Sequence, residues 1–187
     1  QTTTDLTAEE IHEIGLADVA RLRNEMETVM ASTGFEGTLQ EFFVMLRETR
    51  DDERFYYPNT DAGRQGYIDD ATAAIENIKS VLPEYFATLP KADLVVRRVE
   101  PFRERDGGAQ HYYSGTPDGS RPGIYYAHLS DMTAMPKSEL EVIAYHEGLP
   151  GHHMQISIAQ ELEDLPRFRT QAGFTAYSEG WGLYAEY

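Results

Sequence analysis

The spacing of apolar residues changes character twice along the chain. From Thr7 onward Ile11, Ile14, Val19, Leu22, Met26, Val29 and Met30 recur with the rhythm of one helix face. Thr7-Ala8-Glu9-Glu10 precedes them as a capping box, in which Thr and Glu satisfy each other's orphan first-turn groups. Gly34 and Gly37 end this helix. Thr38-Leu39-Gln40-Glu41 is a second capping box, and it opens a helix with Phe42, Phe43 and Leu46 on one side. The charged, aromatic run from Arg50 to Tyr57 predicts a loop. A third helix is expected from about Asp61 to Leu82, burying Ala71, Ala74, Ile75, Ile78 and Leu82. Pro83 and Pro90 bracket a turn-rich segment.

Beyond residue 92 β-branched and aromatic residues take over. Leu94 to Val99, Ala109 to Ser114 and Ile124 to Leu129 each predict a strand, the last two separated by the turn-dense "GTPDGSRPG". Tyr112, Tyr113, Tyr125 and Tyr126 are expected to alternate between core and solvent. Ser138-x-x-Glu141, after Pro136, reads as a third capping box; its helix is expected to run on to Pro166. A last helix is expected from near Ala172. The pattern predicts an α+β fold, predominantly helical, with a small antiparallel sheet ahead of two helices. It is expected to be a single domain over 1–187, helical over 1–92, with the sheet and the motif helices in 93–187.

Composition narrows the function classes. The 187 residues, 41% hydrophobic, suffice for one core. The 32 acidic against 16 basic residues give a net charge of −16, which argues against nucleic acid and against an anionic membrane surface. There is no cysteine, so disulfides and thiolate metal ligands are excluded. The chain has no run of about 18 apolar residues that could span a bilayer. Cytoplasm and bacterial periplasm suit this composition equally. The chain starts on Gln1 and stops within "AYSEGWGLYAEY", so it is expected to be a piece of a longer protein.

The candidate chemistry lies in "AYHEGLPGHHMQ", Ala144 to Gln155. A helical His-Glu-x-x-His sets two imidazoles one turn apart on one face, with the Glu beside the metal. Here Pro150 stands where the second histidine belongs. On a straight helix His152 would sit about 240° round the axis from His146, and His153 about 10.5 Å along it. Neither could share an ion with His146. Gly148, Pro150 and Gly151 allow a bulge that absorbs two extra residues and returns His152 to the ligand position. Glu179, 27 residues after His152 on the next expected helix, is the candidate third ligand. Glu186, on nearly the same face, could orient a ligand imidazole. Gly180 and Gly182 are costly in a helix and suggest close approach by another element. His111 and His128 have no spacing argument behind them and read as structural. With no cysteine and no Gly-x-Ser-x-Gly, a serine or cysteine hydrolase is disfavoured.

"HEGLPGHHMQ" together with "AYSEGWGLYAEY" resembles the bacterial family called domain of unknown function 885. The resemblance extends to "LPKADLVVRRVEPF" and "YYSGTPDGSRPGIYYAHL". That family looks distantly similar to the Taq-type carboxypeptidases, zinc peptidases of the gluzincin kind, which implies a zincin-like fold. Carried over, the resemblance implies His146, His152 and Glu179 as zinc ligands and Glu147 as general base. The insertion leaves His152 and His153 as alternatives for the second ligand. The implied function is zinc-dependent hydrolysis of short peptides, as a carboxypeptidase or dipeptidase, with an extended substrate held along Ile124 to Leu129. The rival classes are a metal-binding but inactive scaffold and a helical interaction domain without metal.

Overall fold

The computed structural model describes residues 4–105, 107–166, 168–169 and 173–187. It divides into two compact units, Thr3–Asp52 and, apart from the first two residues, Glu53–Tyr187. The compositional change near residue 92 therefore falls inside the larger unit.

The smaller unit is two helices, α1 (Ala8–Ser32) and α2 (Leu39–Glu48). Both start as their sequences require. The Thr7 and Thr38 hydroxyls accept from the backbone N–H of Glu10 and Glu41, and each Glu carboxylate accepts from the Thr backbone in return. The rings of Phe35 and Phe42 pack 5.1 Å apart. The apolar stripe of α1 is not a core face within this unit, for no residue of α1 is buried.

In the larger unit α3 (Asp61–Val81) is capped by Thr60, whose hydroxyl accepts from the Gly63 N–H. It buries Tyr67, Ala71 and Ile75 against a three-stranded sheet and against α4 (Lys137–Glu147). The strands are β1 (Leu94–Arg98), β2 (His111–Tyr113) and β3 (Gly123–Ala127), in the order β1-β3-β2. β1 runs parallel to β3 and β2 antiparallel to it. The expected antiparallel sheet is thus corrected to a mixed one. β1 reaches β3 over a connection long enough for a parallel crossover, while β2 returns directly through the "GTPDGSRPG" turn.

β3 is paired on both sides and is buried along nearly its whole length. The expected alternation of the tyrosines holds in part: Tyr126 is more exposed than its neighbour Tyr125, and on β2 Tyr112 is half-buried while Tyr113 is exposed. Tyr125 is fully buried, and its hydroxyl lies 2.8 Å from that of Tyr67. Being central, β3 also offers no free edge to an extended peptide; the edge strands are β1 and β2.

Two further expectations are corrected at the motif. The N-cap of α4 is Pro136 and no side chain caps it, so Ser138 closes no capping box. The helix does not continue to Pro166 but stops at Glu147. A second helix, α5 (His152–Glu161), starts after Gly148–Gly151, and α6 (Thr175–Glu186) follows. The site is therefore framed by three helices rather than two. Ala172, the expected start of the last one, lies outside the described residues. No described helix is long and apolar enough to cross a membrane.

Candidate metal centre

The Gly-Leu-Pro-Gly segment resolves the spacing problem with its own backbone bonds. Gly148 N–H still donates to Ala144, as in a helix, but Gly151 N–H reaches back to Tyr145 and His153 N–H to Gly148. These longer loops take up the extra residues and restart the helix at His152. Only glycine fits at 151, since a Cβ there would lie 1.9 Å from the His146 carbonyl oxygen. Gly148 is similarly confined, by Ile75 and the Ala144 carbonyl. The indole N–H of Trp181 on α6 donates to the Pro150 carbonyl at 2.8 Å and ties the last helix to this turn.

The consequence is convergence. His146 from α4, His152 from α5 and Glu179 from α6 present ligand atoms that all lie within 4.8 Å of one another. Glu179 Oε2 is 3.5 Å from His146 Nε2 and 3.7 Å from His152 Nε2. A tetrahedral ion with bonds near 2.1 Å separates its ligands by about 3.4 Å, so the two carboxylate–imidazole separations are close to those of a loaded site. The two imidazoles stand nearly perpendicular, 4.7 Å between centres.

Hydrogen bonds set the ring nitrogens for this task. His146 Nδ1 lies 2.6 Å from Glu186 Oε1; a carboxylate only accepts here, so Nδ1 carries the proton and Nε2 keeps its lone pair toward Glu179. His152 Nδ1 faces the amide oxygen of Gln155 at 3.4 Å, a longer contact with the same sense. Gly182 lets α6 approach: a Cβ there would sit 2.6 Å from His146 Cε1. Nothing comparable surrounds Gly180, which has no neighbour within 4 Å of its Cβ position. Of the two helix glycines, only Gly182 reflects close approach.

His153 stands apart from this cluster. It is almost fully buried, its Nε2–H donates to the Ala92 carbonyl at 3.0 Å, and its Nδ1 accepts from the Tyr112 hydroxyl at 3.0 Å. Both ring nitrogens are committed away from the cluster. Burial brings its pKa down to about 4, which keeps the ring neutral.

Glu147 is 8% exposed, has no hydrogen-bond partner among the described residues, and lines the same cavity of about 300 Å³ as the three candidate ligands. Burial raises its pKa above the usual carboxylate value, opposed by the nearby imidazoles of His152, His146 and His111. No Lys or Arg among the described residues lines this cavity. Carboxylates and two imidazoles converging with no basic side chain among the described lining residues form a donor set suited to a divalent cation.

The sequence did not reveal the opposite wall. Gln110, His111 and Tyr112, at and beside edge strand β2, line the cavity with the helical residues. Tyr112 is held there by its bond to His153 and by the Gly115 N–H, 3.4 Å from its hydroxyl. His111 stacks on Tyr126 at 5.3 Å. Nothing local marks these positions; sheet order alone brings them to the site.

All 187 residues match the family described as bacterial protein of unknown function (DUF885). The chain belongs to that family. It is also similar to "the putative lipoprotein from Colwellia psychrerythraea", known as a crystal structure, with 37% identity and a TM-score of 0.86. The match covers 98% of this chain and 31% of that one, so the chain spans under a third of that relative's length. No curated protein matches the chain.

Proposed function

We propose that this DUF885 chain carries the metal-binding core of a zinc-dependent peptidase acting on short peptides, as a carboxypeptidase or dipeptidase with a zincin-like site. The observation that carries the reading is the approach of Glu179 to the Nε2 atoms of His146 and His152, at near-tetrahedral spacing, with Glu147 alongside. His146, His152 and Glu179 would hold a zinc ion, which when bound would supply Lewis acidity to the scissile carbonyl and to the attacking water. Glu147 accepts the proton of that water and passes it to the leaving amine. Its raised pKa suits both halves of that transfer, because a carboxylate held by burial is a stronger base than one in water. Glu186 fixes the His146 tautomer. The free edge of β2 takes the place expected of Ile124 to Leu129, and an extended substrate lies beside it. The lipoprotein description of the Colwellia relative fits an exported setting.

The test is metal content and turnover together. Protein purified without chelator is expected to hold one zinc per chain, and Glu147→Gln is expected to keep it while losing peptide hydrolysis by at least about a hundredfold. Retained turnover in that variant removes the general base. Failure to bind zinc at all rejects the reading from its foundation, and zinc without hydrolysis of any peptide in the wild type would leave a metal-binding scaffold.

A further inference from the structure

A second, larger cavity of about 490 Å³ adjoins the metal cavity, and His111 lines both. Its lining departs from the rest of this acidic chain. Arg103, Arg105 and His128 face it together with His111, and the exposed ring of Phe102 adds an apolar wall. Glu104, the one carboxylate among the described lining residues, is already satisfied. Its two oxygens accept from Arg98 at 2.9 and 2.6 Å, and one also accepts from the Leu129 N–H at 2.9 Å. Arg103 is paired with Glu100 and lies over the Tyr126 ring. Arg105 makes no ion pair with a described residue.

We infer that this cavity is the substrate-selecting pocket of the proposed peptidase, and that it receives a carboxylate of the peptide. The inference rests on the peptidase reading for the word substrate, but the anion preference follows from the lining itself. Exposed Arg105, with no ion pair to a described residue, lines the cavity with Arg103, His111 and His128, and such a local cluster of basic side chains in a chain of net charge −16 is a place where an anion is attracted rather than repelled. Arginine's fork of donors matches a carboxylate in a bidentate manner. The positive character is felt inside the cavity: burial lowers the His128 pKa, and His111, Arg103 and Arg105 push it further down against the pull of Glu104. The shared wall explains how one ligand occupies both spaces. A peptide with its scissile bond beside Glu147 passes His111 and extends its next group toward Arg105.

Two carboxylates could fill that role: the α-carboxylate at the end of the peptide, or the side chain of an Asp or Glu. The shared chemistry is tested first by calorimetry on zinc-loaded Glu147→Gln protein, which does not turn substrate over. The probes are tetra-alanine with a free C-terminus, its C-terminal amide, and the amide with one alanine replaced by glutamate. The free acid alone binding at least about tenfold tighter than the amide identifies the α-carboxylate, and the glutamate-bearing amide alone doing so identifies the side chain. In either case Arg105→Gln on the same background is expected to remove the advantage while leaving zinc content and the affinity of the plain amide unchanged. Equal binding of all three probes overturns the inference, as does an advantage that survives Arg105→Gln. The peptidase reading fails separately, by absence of wild-type turnover, even where the calorimetric preference is present. If none of the probes binds, the carboxylate pocket is rejected whatever the turnover result.

Discussion

The helices α1 to α3 ahead of the sheet and α4 to α6 behind it are built on different principles. α1, α2 and α3 each begin on a threonine whose hydroxyl accepts a first-turn N–H. α4, α5 and α6 have no side-chain cap at all. Yet the uncapped helices carry every candidate ligand, whereas α1, with a complete capping box and a regular apolar stripe, buries nothing. Signals within a few residues of the chain fix where the front helices start. The rear helices are fixed by contacts between residues far apart in sequence: Trp181 to Pro150, Glu186 to His146, and the face of Gly182 against an imidazole. Where geometry must be accurate enough to hold an ion, tertiary contact rather than local preference sets it.

The sharpest way to break this contrast is Gly182→Ala. By local propensity alone it favours α6, since alanine is better than glycine in a helix by about 1 kcal/mol. By tertiary contact it is severe, because the new Cβ meets His146 on Cε1, Nε2 and Nδ1, all under 3 Å. The expected outcome is loss of zinc affinity by at least about a hundredfold with helix content retained, read by competition with a chromophoric chelator and by circular dichroism. Gly180→Ala is the control: with open space around it, zinc affinity should stay within about twofold. Wild-type affinity in Gly182→Ala would show that the close approach has no bearing on the site.

A smaller effect is expected at Glu186. Replacing it with glutamine keeps an acceptor but removes the charge that fixes the His146 tautomer. Zinc affinity should fall about ten- to a hundredfold, with the melting temperature of the metal-free protein little changed. An affinity equal to wild type would reduce Glu186 to a solvated helix glutamate.

The same division explains what could be read from the chain. The capping boxes at Thr7 and Thr38 and the start of α3 were legible because each signal and its effect lie within one turn. The convergence of His146, His152 and Glu179 was legible from the motif, its flanking glycines and the family resemblance, but the choice between His152 and His153 as the residue that joins the cluster was not. That choice depends on Ala92 and Tyr112, distant residues that claim both nitrogens of His153. The end of α4 at Glu147 was missed because Pro166 offered a later and more conventional stop. The sheet was misjudged for a related reason: a strand's sequence shows its composition, not its neighbours. β3 was assigned a free edge that its pairing with both β1 and β2 denies it, and His111, dismissed for want of a local pattern, stands between two cavities.

Acid provides a test within the larger unit. Glu104 is nearly inaccessible and holds a bidentate pair with Arg98. That pair, helped by the Leu129 N–H and opposed by burial, holds its carboxyl below the ordinary 4.5. A folded-state pKa below the unfolded one stabilises the protein fully above the unfolded value and loses that stabilisation as pH falls through the folded one. Urea unfolding should therefore show Glu104→Gln less stable than wild type near neutrality, by about 1–3 kcal/mol. The gap should narrow as pH falls below the ordinary carboxylate value and close once it passes the lower folded-state one. A gap that persists unchanged into acid would mean that packing, not charge, is what the variant loses.

The mildest change probes the other side of the contrast. Thr38→Ala removes the hydroxyl that caps α2 and half of its reciprocal exchange with Glu41. Such losses cost about 1 kcal/mol, and the lost bond closes a ring of three residues, so the cost should stay within the unit Thr3–Asp52. Amide exchange at the first turn of α2 is expected to speed up about fivefold, while zinc affinity and exchange in α4 to α6 remain at wild-type values. If instead this cap altered metal binding, the site would depend on a helix whose start is written in its own four residues, and the separation between locally and distantly specified helices would not hold.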